Sequence, residues 1–138
     1  KKKIIEKINN YNIYFPTLIH PSVIIGNVNS VKIGKGCIIT AHCILTTEIV
    51  INDFVILNLA CTVGHDTNIG EFSSFMPSVN ISGEVLIRKN VYVGTGAKII
   101  NQLEIGENTI IGAGAVVSKS LPSNCTAVGV PAKPIKIN

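Results

Sequence analysis

The sequence predicts an all-β solenoid, a parallel β-helix, on three observations. An aliphatic residue recurs every six positions, a small or apolar residue recurs four positions after it, and the apolar content is mainly Ile and Val rather than aromatic. The first series runs Ile33, Ile39, Leu45, Ile51, Leu57, Val63, Ile69, Phe75, Ile81, Ile87, Val93, Ile99, Ile105, Ile111, Val117. With 46% of the chain hydrophobic, such an unbroken run arises by chance on the order of once in a hundred thousand trials. The companion series runs from Cys37, Cys43 and Ile49 through Cys61, Thr67 and Ser73 to Leu121. A helix cannot hold a period of six, because its apolar residues would wander around the surface. Short strands joined by turns can. Glycines directly after the aliphatic position, such as Gly64 and Gly94, supply the freedom that corners need.

Each segment follows from that period. At the start, KKKIIEKINN places Ile4, Ile5 and Ile8 at helical spacing, so a short amphipathic helix is expected from Lys2 to Asn10, within residues 1–12. Ile13, Ile19 and Ile25 keep the six-residue step, but eight residues separate Ile25 from Ile33, which predicts one irregular entry coil. From Ile33 to Pro122 the step runs without insertion, giving a solenoid over residues 13–122. Residues 123–138 drop the step and are rich in proline. They predict a tail that leaves the solenoid and covers its last coil, whose core and strand edges would otherwise be open.

Composition narrows the function. At 138 residues and 14% charged, the chain is one foldable domain, far from the signature of disorder. Its net charge of +4 owes much to Lys1 to Lys3, Lys133 and Lys136 at the ends. Basic residues do not interleave with aromatics, which argues against nucleic-acid binding. No apolar run approaches the roughly 18 residues of a membrane span and no leader is evident, so a soluble, cytoplasmic protein is expected. The four cysteines show no CxxC and no histidine at ligand spacing. They are expected to be small buried hydrophobes in a reducing compartment, with no metal.

The repeat resembles that of the hexapeptide-repeat acyltransferases, whose coils are left-handed triangular prisms of three hexads each. On that geometry residues eighteen apart stack. His65 falls in a corner column with Thr47, Gly83, Asn101 and Lys119, while a second corner holds Ala41, Leu59, Pro77, Thr95 and Ala113. The two columns lie on different edges of one prism, so only neighbouring subunits packed side by side bring them together, and closed symmetry makes that a trimer. Gly83 leaves space beside the His65 imidazole and is able to present its N–H to a ligand. The competing reading makes His65 a turn histidine without a task and Asp66 a local turn cap. His20 and His42 are read as structural. Three converging histidines, as a metal-dependent carbonic anhydrase of this fold would need, have no matching spacing.

Four stretches sharpen the likeness: FPTLIHPSVIIG (15–26), GHDTNIGEFSS (64–74), IIGAGAVVSKSLP (110–122) and AVGVPAKP (127–134). Together they resemble the sialic acid O-acetyltransferase family, which also contains acetyltransferases of UDP-linked 4-amino sugars. The resemblance implies that His65 is a general base and that Asp66 raises its basicity. It implies that an acceptor amine or hydroxyl attacks acetyl-CoA directly, without a covalent enzyme intermediate. It places acetyl-CoA at Ser74, Gly83, Thr95 and Ala113, with the Gly83 N–H on the acetyl oxygen and Lys119 or Lys133 near a CoA phosphate. Some relatives carry a second histidine where this chain has Ser74. Members of the family usually carry an N-terminal nucleotide-sugar-binding domain as well, of which the expected helix would be the last element. Acetyl transfer to serine or another small amine, and a non-catalytic trimerisation module, are the alternatives.

Overall fold

The computed structural model describes residues 2–8 and 11–137. Helix α1 (Lys2–Ile8) opens it, and the expected continuation through residues 9 and 10 lies outside the described residues. The first coil holds β1 (Leu18–Ile19), β2 (Ile24–Ile25) and β3 (Val31–Ile33), and the second β4 (Ile38–Ile39), β5 (Ile44–Leu45) and β6 (Ile49–Ile51). The third holds β7 (Ile56–Leu57), β8 (Thr62–Val63) and β9 (Asn68–Ile69), and the fourth β10 (Ser74–Phe75), β11 (Asn80–Ile81) and β12 (Leu86–Ile87). The fifth holds β13 (Tyr92–Val93), β14 (Lys98–Ile99) and β15 (Glu104–Ile105). The sixth holds β16 (Ile110–Ile111) and β17 (Val116–Val117), closed by a bridge from Leu121 to Ile105. Strands β18 (Cys125–Val128) and β19 (Lys133–Ile137) follow.

Strands three apart pair in parallel, so the coils stack into three faces: β1-β4-β7-β10-β13-β16, β2-β5-β8-β11-β14-β17 and β3-β6-β9-β12-β15. This is the architecture of the left-handed β-helix. From Ile39 to Val117 every residue of the aliphatic series is 3% exposed or less. The entry coil is irregular as expected: Leu18 and Ile24 pair twenty residues on, with Ile38 and Ile44, whereas Val31 pairs eighteen on, with Ile49.

The tail departs from expectation at its start. Cys125 to Val128 continue the first face in parallel with β16, Thr126 lying opposite Ile110 at an offset of sixteen. Asn124 keeps the corner conformation, and its N–H bonds Glu107 O at 2.8 Å, so the repeat is shortened there before it is abandoned. Only then does the chain cross β17, through Val116 N–H to Gly129 O and Ala132 N–H to Val116 O, and return as antiparallel β19. The sixth coil is covered by these bonds.

Each corner rests on one backbone state. The third residue after the aliphatic one lies at φ near +60°, as at His42, Glu48, Phe54, Ala60, Asp66, Phe72, Ser78 and Glu84. From Phe54 to Gly114 its N–H donates to the carbonyl nineteen residues earlier, for example Asp66 to Thr47 at 3.2 Å and Glu84 to His65 at 2.7 Å.

The cysteines are buried as expected but act as donors. Cys37 Sγ donates to Asn52 O, Cys43 Sγ to Asn58 O and Cys61 Sγ to Met76 O, each fifteen residues on. Its hydrogen bond with Cys43, and then burial, push the Cys61 thiol above the usual range, which keeps it a protonated donor. Thr67 and Ser73 make the same bond, to Ser82 O at 3.2 Å and Arg88 O at 3.3 Å. Replacing Thr67 by Val would leave the Ser82 carbonyl without that donor. The expected loss is about 1–2 kcal/mol of unfolding free energy with the fold retained, read from denaturant midpoints at unchanged slope.

Candidate active site

The corner that carries His65 is fixed from every side. An ideal Cβ on Gly64 would stand 2.5 Å from Gly83 N, so only glycine lets the next coil settle there. The Asp66 N–H holds the coil before, through Thr47 O, and the His65 carbonyl receives Glu84 N–H from the coil after. Inside, the buried Thr67 hydroxyl lies 3.2 Å from Ser82 O and 3.4 Å from His65 O. Sequence reasoning placed Thr67 among the small interior residues and missed this tie. A hydroxyl at an otherwise apolar interior position was the available signal.

Asp66 lies at φ +55° and its Oδ2 stands 2.8 Å from His65 Nδ1. A carboxylate only accepts, so Nδ1 carries the proton of the neutral ring and Nε2 its lone pair. The ring lies on Gly83: an ideal Cβ there would be 2.5 Å from Nε2 and 2.6 Å from Cε1. The space expected beside the imidazole is thus taken by the imidazole itself. The Gly83 N–H makes no hydrogen bond among the described residues.

The remaining predicted residues lie elsewhere. Thr95 and Ala113 are exposed on the edge between the first and second faces, and Ser74 is half-buried on β10, three residues before Pro77 on that edge. His65, Asp66 and Gly83 belong to the edge between the second and third faces. A whole face separates the two groups, and one chain does not bring them together. The side chains of His65 and Asp66 are 54% and 57% exposed, so a single chain leaves this corner open. Lys119 and Lys133 are both exposed.

His20 and His42 are joined through Ser22, whose Oγ lies 2.9 Å from His20 Nδ1 and accepts the His42 N–H at 2.9 Å. A cleft of about 510 Å³ opens on the third face, lined by Asn52, Asn68, Glu71, Arg88 and Lys89 among others. Its cations are already paired, Arg88 with Glu104 at 2.7 Å and Lys89 with Glu107 at 3.5 Å, and it holds no histidine. Among the described residues no three metal-ligating side chains come together, and no helix is long and apolar enough to cross a membrane.

Residues 84–119 match the family model "Bacterial transferase hexapeptide (six repeats)". The chain is 37% identical over 122 residues to serine acetyltransferase of Buchnera aphidicola subsp. Schizaphis graminum, covering 88% of this chain and 41% of that one. It is 34% identical over 142 residues to GDP-perosamine N-acetyltransferase of Escherichia coli O157:H7, covering 99% of this chain and 63% of that one. Among solved structures, PerB from Caulobacter crescentus in complex with CoA and GDP-perosamine superposes with a TM-score of 0.93 at 32% identity, over 98% of this chain and 64% of that one. The chain therefore spans between two fifths and two thirds of the length of these relatives.

Gly83→Ala tests the ring contact. Gly83 has no left-handed φ, so alanine suits the backbone, yet its methyl would collide with Nε2. The expected outcome is a folded protein in which the His65 imidazole resonances move and its contact with Asp66 weakens, followed by side-chain NMR.

Proposed function

The chain belongs to the bacterial hexapeptide-repeat transferases, and on that premise we propose that it carries out acetyl transfer from acetyl-CoA to the amine of a nucleotide-linked sugar. The observation that carries this reading is the His65–Asp66 pair, with Nδ1–H held at 2.8 Å and Nε2 left free. As the acceptor nitrogen bonds to the acetyl carbon, Nε2 takes its proton, and the carbon–sulfur bond breaks to release CoA as its thiol once that proton is passed on. Asp66 stabilises the imidazolium formed in between. The unpaired Gly83 N–H is a donor for the charge that develops on the acetyl oxygen.

The exposed Thr95 and Ala113, with Ser74 beside their edge, suit a pantetheine arm that runs between two prisms, and Lys119 or Lys133 meets a CoA phosphate. Because these residues and His65 lie on different edges, the reading requires a neighbouring copy, and a closed ring of three satisfies both edges of every subunit. Similarity to a sugar N-acetyltransferase over nearly the whole chain favours a sugar amine. The 37% identity to a serine acetyltransferase supports serine or another small amine as the second reading.

The deciding experiment is acetyl-CoA turnover with nucleotide-linked amino sugars and with serine. His65→Ala is expected to lower kcat by about 10²–10⁴-fold while oligomer size and Tm stay near wild type. Equal rates would remove His65 from the reaction, and an absence of CoA binding by calorimetry would leave a non-catalytic trimerisation module.

A further inference from the structure

Charge is unevenly spread along the prism. Among the described residues after Glu107, Lys119, Lys133 and Lys136 are the only charged side chains, and all three are exposed. The sixth coil and the strands above it therefore carry cations and no carboxylate. One coil earlier the charges are matched, Arg88 with Glu104 and Lys89 with Glu107. The same end of the molecule is apolar. Strand β19 is the outermost of its sheet, and Val130, Ile135 and Ile137 are 73%, 66% and 70% exposed. Large aliphatic side chains this open, set among cations, mark a surface that meets something.

Another strand is a poor partner for it. A register shift between Thr126 and Ala127 leaves Ile135 unpaired, Pro134 has no N–H, and Lys133 and Lys136 stand on either side. A bulge, a proline and lysines are each devices that block pairing at a sheet edge. A second copy set end to end would bring three lysines against three. Copies packed side by side in a ring leave the ends of their prisms free, and rotation about one axis points like ends the same way. Nucleic acid would engage the lysines, but Val130, Ile135 and Ile137 offer its bases no ring to stack on.

We propose that this end of the prism, with Lys119, Lys133 and Lys136 around Val130, Ile135 and Ile137, docks on an anionic lipid surface. Such a surface supplies both halves of the match: headgroup phosphates for the ammonium groups, and the shallow acyl boundary for the aliphatic side chains. The long lysine stems let the charges stay among the headgroups while the isoleucines enter. Each lysine near an anionic leaflet strengthens binding about fivefold, so three give about a hundredfold. In a ring of three copies the like ends share one plane, and attachment of the first raises the effective concentration of the others. The chain on this reading lies against a membrane without crossing it.

The chain has no tryptophan, so Ile137→Trp at this end and Tyr14→Trp at the foot, where the native side chain is 84% exposed, each supply a single fluorescent reporter. With phosphatidylglycerol vesicles at about 0.1 M salt, both proteins are expected to cosediment, and only the Ile137→Trp emission is expected to shift to the blue. Phosphatidylcholine vesicles are expected to do neither. Lys136→Glu removes one attraction and adds one repulsion, and is expected to weaken binding about thirtyfold with the circular dichroism of the folded chain unchanged; should that variant misfold, Lys136→Gln is expected to weaken it about fivefold. No cosedimentation with phosphatidylglycerol, equal binding to phosphatidylcholine, or a blue shift confined to Tyr14→Trp would overturn the proposal. Tighter binding to a DNA duplex at equal phosphate concentration, with the Ile137→Trp emission unmoved, would overturn it in favour of nucleic acid.

Discussion

One hydrogen bond, from the N–H of a residue at φ near +60° to a carbonyl nineteen residues before it, holds every regular edge of this prism. Without it the short strands would be connected by loops of no fixed direction. The state costs about 1–2 kcal/mol for a residue with a side chain, and twelve non-glycine residues adopt it. The bond to the coil below offsets that cost, and so does the burial of the aliphatic residues on either side. Bulky Phe54 and Phe72 are held there by stacking on one another, ring centroids 5.2 Å apart, with Phe15 edge-on to Phe54. Farther up the same edge, Asn90, Asn108 and Asn124 replace the rings with an amide ladder of 2.9 Å bonds. The regular pitch of these edges turns sequence spacing into height along the molecule.

A second constraint explains why the interior is not wholly aliphatic. In several hexads the first corner residue, such as Asn52, Asn58, Met76, Ser82 or Arg88, turns a carbonyl toward an interior donor, and an unpaired acceptor there would be costly. Thiols and hydroxyls four places into the hexad of the preceding coil supply donors small enough to leave the packing intact. Thr67 does so for Ser82, next to Gly83, and its neighbour bond to the His65 carbonyl links the core to the corner that carries the His65–Asp66 pair. The apolar interior and the polar site are thus one construction, not a scaffold with a site added.

The solenoid was legible because a period of six admits no other regular packing, and the eighteen-residue columns followed once three hexads made a coil. The pairing of His65 with Gly83 was legible in the same way, as a matter of stacking. What remained hidden depends on atoms that no period encodes. The direction of the Asp66 carboxylate comes from its backbone state. The donor role of Cys37, Cys43 and Cys61 comes from carbonyls fifteen residues away, so hydrophobic volume alone described them incompletely. The shortened step into β18 reflects the last corner, at Asn124, persisting after the aliphatic series has ended. Spacing stacked Thr95 on Ala113 but on an edge that one chain keeps a whole face away from His65, and the role of these two residues and Ser74 came from resemblance alone.

The openness of the His65 corner has an electrostatic consequence. A carboxylate beside an imidazole does little in bulk water, where two charges 4 Å apart interact by about 1 kcal/mol, and several times that at the effective dielectric of a protein surface. With more than half of each side chain exposed, Asp66 is screened from His65 by solvent in the isolated chain. Covering the corner with the edge of another copy removes that water without moving any bond that fixes the ring, since those bonds come from the coils before and after and from Thr67 within. Assembly on this reading supplies the dielectric, and the solenoid supplies the geometry.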